Sequence, residues 1–405
     1  MASYDFAKSL AAMARERLET SAIGEMIKLV IEHDAISFTA GEPSADLLPV
    51  GLLKEAFSSV FNDPGQLGYY WSDLGHIELR GWIDAWMKRD GLLPDWVGPD
   101  DIMMTCGSQE GISLVGEALI DPGSYVLVES PTYMETLLTF RKQGAVCIGV
   151  PMDEDGIVVG ELERILAQKT VRFLYSIPNF QNPSGYTATV ERRRAVLEVL
   201  CRYDVPLVED DPYHYLSYDG DSPATYIGLS GEDRRVVYLG SFSKIVAPGV
   251  RCGWMVVPDS LMSRIVSLRV NSCLGLPILV QQGLYNMLSR LDMKKYLPSL
   301  TSVYKERRDG MLRAIDDNLK PLGVEHNIPG GGFFIWGRLH GIDDMMAFAK
   351  YAVAEHKIGF IPGGVFFAPG TEDARSMRFS FAKVDGGKAQ EGARRLADAI
   401  RSYKK

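Results

Sequence analysis

The chain has 405 residues, 46% hydrophobic and 23% charged, the make-up of an ordinary soluble globular protein long enough for two domains. A formal net charge of −9 argues against nucleic acid as a main partner, and neither a bilayer-spanning apolar run nor a secretory h-region is present. Five scattered cysteines (Cys106, Cys147, Cys201, Cys252 and Cys273) never form a C-x-x-C and read as reduced thiols of a cytoplasmic protein; neither they nor the six histidines suggest a metal site.

In chain order, Tyr4 to Leu18 has the spacing of an amphipathic helix, and Thr20-Ser21 can cap a second helix at about Ile23 to His33. Ala35 to Pro43 runs extended into a Gly/Pro turn. A helix over Leu52 to Phe61 stops at Asn62-Asp-Pro-Gly65, an aromatic loop follows to Gly75, and helical spacing resumes over Ile77 to Asp90. From Asp101 short apolar runs alternate with helical segments. Strands are expected at Ile102–Thr105, Tyr125–Glu129, Cys147–Val150, Val171–Ser176, Pro206–Glu209, Val236–Leu239 and Trp254–Val257. Helices are expected between several of them, at Ser108–Ile120, Met134–Gln143, Glu161–Gln168 and Val190–Tyr203. Such alternation predicts an α/β fold with a doubly wound, mostly parallel seven-stranded sheet covered on both faces. Ligands of such sheets sit beyond the carboxyl ends of the strands.

Leu261 to Leu288 and Met293 to Leu319 read as long helices that leave the sheet domain. Beyond Pro321, short strands at Val324–Ile328, Phe333–Arg338, Ile358–Pro362 and Ser376–Ala382 mix with helices at Asp343–His356 and Gly387–Tyr403. That is a smaller α+β unit, formed by the C-terminal third together with the N-terminal segment. The expected division is an arm and part of the small domain over residues 1–50, a large cofactor-binding domain over 51–290, and the rest of the small domain over 291–405.

The polar motifs fall at strand ends. Thr105-Cys-Gly-Ser-Gln-Glu110 opens a helix whose free N–H groups suit a phosphate, or Ser108 is a plain N-cap. Tyr133, past the next strand, can stack on a flat ring or serve as an ordinary half-buried aromatic. Asn182-Pro-Ser-Gly185 is a rigid turn that projects an amide able to donate to a phenolate-like oxygen; a structural turn is the alternative. Val208-Glu-Asp-Asp-Pro-Tyr213 gathers carboxylates that need a cationic partner, and a protonated pyridine beside Asp210 would be one. Metal binding by these acids lacks further ligands at suitable spacing.

Between two apolar runs lies Gly240-Ser-Phe-Ser-Lys-Ile-Val-Ala-Pro-Gly-Val-Arg251. An unpaired buried ammonium is expensive, and the cost disappears if Lys244 forms an imine with an aldehyde. Ser241, Ser243 and Arg251 supply what a phosphate monoester wants. Imine and phosphate cradle together point to pyridoxal 5′-phosphate, against a solvated surface loop. The glycine-rich turns Pro329–Trp336 and Phe360–Phe367 suit a ligand wall or a core equally. Arg378 interrupts an apolar strand, either to bind a substrate carboxylate or as a cation on an edge strand.

The ordered set Gly-Ser-Gln, Pro-Thr-Tyr, Asn-Pro-Ser-Gly, Asp-Asp-Pro-Tyr and Ser-x-Ser-Lys with Pro-Gly-x-Arg resembles the fold-type I pyridoxal-phosphate aminotransferases, the aspartate aminotransferase superfamily. Ile36–Gly41, Glu209–Tyr213 and Pro329–Phe334 are most similar to the branch holding 2-aminoadipate and kynurenine aminotransferases. The resemblance implies that Lys244 carries the imine and shuttles the Cα proton, with Asp210 holding the pyridinium. It implies that Asn182 and Tyr213 bind the ring oxygen and that Tyr133 stacks on the ring. Ser108, Gln109, Ser241, Ser243 and Arg251 would hold the phosphate, and Arg378 the α-carboxylate, with Gly41 and Asn182 also lining the substrate position. Tyr70 matches a tyrosine that reaches the phosphate from a neighbouring subunit, which implies a homodimer with shared sites, although Tyr69 offers a second register.

Where the similar branch often has an arginine that admits acidic side chains, this chain has Gly24. Glu42 lies near the pocket, and Val270–Pro277 departs from the branch's usual small, hydroxyl-rich segment. The expected activity is ping-pong transfer of an amino group between an L-amino acid and a 2-oxo acid. A decarboxylase, lyase or oxidase on the same cofactor is the alternative. The ligand-sensing domain of a transcription factor is a third reading, opposed by the lack of a basic winged-helix segment ahead of the match.

Overall fold

The computed structural model describes residues 6–67 and 72–403. The large sheet is built from β1 (Ile102–Thr105), β2 (Tyr125–Ser130), β3 (Val146–Asp153), β4 (Gly156–Ile157), β5 (Val171–Ser176), β6 (Leu207–Asp210), β7 (Val236–Ser241) and β8 (Gly253–Val256). Their order is β1-β8-β7-β6-β5-β2-β3-β4. All residues of β1, β6, β7 and β8 are buried, as expected of strands covered by helices on both faces. Among the described residues the sheet therefore has eight strands and not seven: the extra one is the two-residue β4, antiparallel to β3 across the Glu154-Asp155 turn and too short to show a strand period.

The core from β7 through β6, β5 and β2 to β3 is parallel, whereas β8 runs antiparallel to both β1 and β7. This arrangement fixes the site. Because β8 is reversed, it begins at the edge where β1 and β7 end, and Gly253 pairs with Thr105 on one side and Ser241 on the other. The turns around Ser108, Lys244 and Arg251 are thereby brought together.

The second sheet holds β9 (Val324–His326), β10 (Phe334–Leu339), β11 (Ile361–Pro362) and β12 (Ser376–Ser380), all antiparallel, in the order β9-β10-β12-β11. The N-terminal segment joins it: Ile36–Ser37 pairs in parallel with Ile358–Gly359, and Ser380 N–H donates to Phe38 O at 2.8 Å. Two buried apolar clusters result, one around the large sheet and one that includes Phe38, Ile335, Phe360 and Phe379. The helix Met293–Asn318 bridges them, with Leu300 and Tyr304 in the first cluster and Met311 and Ile315 in the second.

Two expected helices are corrected. Leu261 to Leu288 is not continuous: Asp259–Cys273 ends at Leu274, whose φ of 60° is left-handed, and Ile278–Leu288 starts afresh after Pro277. Proline lacks the N–H that would continue the helix and pushes its predecessor out of the α region. Among the described residues of Tyr4 to Leu18 there is a 3₁₀ turn at Phe6–Ser9 and a short helix at Ala12–Glu16 that buries no side chain. Without a packed face, a longer helix is not stabilised.

Candidate active site

A cavity of about 300 Å³ opens at the carboxyl edge of the large sheet, closed from above by residues of the small sheet and the N-terminal segment. Of the positions singled out in the sequence, Ser108, Gln109, Tyr133, Asn182, Asp210, Tyr213, Ser241, Ser243, Lys244, Arg251, Arg378 and Gly41 all line it. Tyr70 lies outside the described residues.

The three consecutive acids at the end of β6 each find a different environment. Glu209 accepts from the backbone N–H groups of Tyr226 and Ile227 at 2.8 and 3.0 Å, at the start of the next helix. Asp211 accepts from Asn179 Nδ2 at 2.9 Å and lies 3.0 Å from His214 Nδ1. Asp210 points into the cavity. Its Oδ2 accepts from the Tyr175 hydroxyl at 2.6 Å, while its buried Oδ1 has no hydrogen-bond partner among the described residues. Burial pushes the Asp210 carboxyl up to about 7 against the opposing Tyr175 hydrogen bond. A cation facing Oδ1 would restore its charge.

Lys244 follows β7 and reaches into the cavity, half-buried. Its Nζ donates to Gly41 O at 2.9 Å, and burial lowers its pKa to about 8 although Glu42 works in the opposite direction. Around it the backbone is shaped for close approach. Gly107 has φ +76°, and a Cβ there would lie 2.8 Å from Arg251 Nη2. Arg251 itself has φ 45°, an unusual conformation for a non-glycine residue and one that clusters at functional sites. Its guanidinium donates to Cys106 O at 2.9 Å. Ser241 Oγ accepts from Ser243 N–H at 3.1 Å, which folds the two hydroxyl residues into one turn. Gln109 lines the same space, but its amide donates to Thr139 Oγ1 at 2.8 Å.

Arg378 enters from the small sheet. It sits on β12, an interior strand, which removes the edge-strand alternative. Its Nη1 donates to Asn182 Oδ1 at 2.8 Å and its Nη2 to Thr39 O at 2.7 Å, leaving the buried Nε without a partner among the described residues. The guanidinium lies 4.2 Å from the Phe334 ring centroid and 4.9 Å from that of Phe366. Burial lowers its pKa to about 10, still charged at neutral pH.

Several supports were not legible in the sequence. Fully buried Arg193 donates to Pro178 O, Ala188 O, Ala224 O and Asn179 Oδ1 and so pins the loop carrying Asn182. The Gln181 amide bridges Glu129 and Pro131 O, and burial pushes Glu129 up to about 7. Arg193 is one of three successive arginines, and only the helix period relative to Val196 and Leu200 marks it as the inward one.

The donor set fits a phosphate-bearing aldehyde with a basic ring nitrogen. Asp210 Oδ1 has no hydrogen-bond partner among the described residues, Lys244 has its pKa lowered to about 8, and Gly107 leaves space beside Arg251 that a side chain would fill. The family described as aminotransferase class I and II matches residues 33–396. The chain is 35% identical to the aromatic-amino-acid aminotransferase 1 of Thermococcus litoralis over 96% of this chain and 93% of that one. It superposes on the kynurenine aminotransferase of Pyrococcus horikoshii, solved with PMP, with a TM-score of 0.92, at 32% identity and covering 99% of each chain. For the α-aminoadipate aminotransferase of Thermus thermophilus, complexed with N-(5′-phosphopyridoxyl)-L-leucine, the TM-score is 0.89 at 30% identity, covering 98% of this chain and 99% of that one.

Proposed function

The chain belongs to the class I and II aminotransferases, enzymes that use pyridoxal 5′-phosphate to move an amino group between an amino acid and a 2-oxo acid, and from that premise we propose the part each residue of the cavity plays. When bound, the cofactor supplies an aldehyde and a protonated ring that draws electrons away from the substrate Cα. Lys244 would hold the cofactor at its aldehyde and would serve as the base that moves the Cα proton, roles that suit a lysine with its pKa lowered to about 8. Asp210 holds its charge against the ring nitrogen. Asn182 and Tyr213 orient the ring oxygen, and Tyr133 covers the ring face. Ser108, Gln109, Ser241, Ser243 and Arg251 hold the phosphate, with Gln109 exchanging Thr139 for it. Arg378 binds the α-carboxylate, Gly41 and Asn182 line the substrate, and the rings of Phe334 and Phe366 exclude water from that ion pair.

The observation that carries this reading is a single cavity lined by Lys244 and by an Asp210 with one oxygen unpartnered among the described residues. Mixing the holoenzyme with an amino acid should convert the aldehyde form of the cofactor to the amine form, and a 2-oxo acid should reverse it. Stoichiometric release of CO₂ or ammonia would overturn it.

The protein acts as a cytoplasmic homodimer in this reading, with Tyr70 reaching the neighbouring subunit's phosphate. The exposed apolar side chains of Val50, Leu52, Phe61, Leu67, Ile77 and Leu274 are surface that a second copy could cover, and the five free cysteines suit a reducing compartment. Sedimentation at micromolar concentration tests the dimer. Among the described residues no helix is long and apolar enough to cross a membrane. The division into residues 1–50, 51–290 and 291–405 is supported by the two apolar clusters, which limited proteolysis can test.

A further inference from the structure

The roles above commit every cation among the described residues that line the cavity: Lys244, Arg251 and Arg378. What remains on the side of the helix Ala22–Glu32 is two isoleucines and two carboxylates. Ile23 and Ile27, four residues apart, share one helix face and present it to the cavity. Glu42 follows Gly41, whose carbonyl accepts from Lys244, and so stands one residue from the reacting amine. Its carboxylate pairs with Lys383, which does not line the cavity. Glu135 enters from the first turn of the helix Met134–Gln143 and accepts from Ser21 Oγ at 2.5 Å. The same Ser21 caps the isoleucine-bearing helix, accepting from Gly24 N–H at 3.1 Å, so the apolar wall and Glu135 are held to each other.

A substrate side chain that leaves the Cα toward this wall meets both apolar surface and carboxylates. No uncommitted cation among the described lining residues would receive a side-chain carboxylate, and two carboxylates would repel it. We propose that the cavity takes amino acids with an apolar stem and a cationic end, that Glu42 and Glu135 select that end, and that acidic side chains are rejected. The proposal rests on the aminotransferase reading of the site.

The test uses holoenzyme and half-reaction kinetics on two pairs of similar length, L-lysine against L-2-aminoadipate and L-ornithine against L-glutamate, with L-norleucine as the uncharged reference. The cationic member should exceed its acidic counterpart at least tenfold in kcat/KM. Glu42→Gln and Glu135→Gln, each retaining a hydrogen-bond acceptor, should each shrink that ratio several-fold. In the unsubstituted enzyme, added salt should shrink it too, because Glu42 is partly exposed. Acidic members that react as fast as cationic ones overturn the proposal, as does a ratio unmoved by salt and by both variants. If no amino acid, norleucine included, converts the cofactor, the aminotransferase reading fails and the proposal falls with it.

Discussion

Arg378 and Asn182 lie 196 residues apart in the chain and meet at 2.8 Å, Nη1 to Oδ1, across the boundary between the two sheets. The contact uses the carbonyl of the Asn182 amide and not its NH₂, so one side chain can orient the guanidinium and still donate to a ring oxygen. Arg378 Nη2 is held by Thr39 O from the N-terminal segment, so three separate stretches of chain fix one cation. A lysine cannot reproduce this fork. Arg378→Lys should lower kcat/KM for an amino donor about 10²-fold, mostly through KM, with cofactor affinity changed only a few-fold; stopped-flow half-reactions and cofactor titration separate the two.

Lys244 sets a pH window. Burial lowers its pKa from 10.5 to about 8, so the neutral amine that attacks an aldehyde becomes the main form above that pH. The rate at which apoprotein captures pyridoxal phosphate should climb through about pH 8 and level off above it. Between about 8 and 10.5 the unfolded chain keeps a proton that the native lysine has lost, so this group makes the apoprotein more stable as pH rises across that window. A capture rate flat from pH 6 to 10 would contradict the assignment. Lys244→Ala should abolish covalent capture altogether, as read by mass spectrometry after borohydride reduction.

Asp210 behaves in the opposite sense. Its carboxyl is raised from 3.8 to about 7, so the native apoprotein retains a proton that the unfolded chain releases. The stability it contributes is complete below about 4 and is lost as pH rises through 7. At pH 8 the apoprotein therefore buries a carboxylate with one oxygen unpartnered among the described residues. Asp210→Asn should stabilise the apoprotein at pH 8 by about 1–3 kcal/mol and have little effect at pH 5, while lowering transamination by the holoenzyme about 10²–10³-fold. Thermal melts of apo and holo forms at the two pH values make the comparison. A variant less stable than the parent at pH 8 would mean that the Tyr175 hydrogen bond outweighs the buried charge.

The sheet and the cavity-lining residues were legible because each depends on local signals: buried strands as continuous apolar runs, and polar residues at the strand ends. Lys244 and Asp210 stood out because charge in an apolar context is costly. The reversal of β8 was not legible, since Trp254–Val257 has the same composition whichever way it runs. Arg193, Tyr175 and Thr39 were missed for a related reason. Their roles depend on partners distant in sequence, and for Thr39 the functional atom is a backbone oxygen, which carries no side-chain signature. The break at Leu274 was the opposite case: Gly275 and Pro277 announced it, and the apolar spacing on either side masked it.

Gly107 tests whether the phosphate cradle depends on backbone shape as well as on donors. At φ +76° any side chain is strained, and the added Cβ would lie 2.8 Å from Arg251 Nη2 and push the guanidinium away from the helix start at Ser108. Gly123 provides the control, because its φ is +91° but a Cβ there meets open space. Both alanine variants should lose about 1–2 kcal/mol from the left-handed conformation. Only Gly107→Ala should also weaken pyridoxal phosphate binding, by about 10–100-fold, since an arginine–phosphate contact depends on its geometry. Cofactor titration of the two variants distinguishes strain from a misplaced Arg251, and equal affinity in both would remove the cradle role from the Gly107 turn.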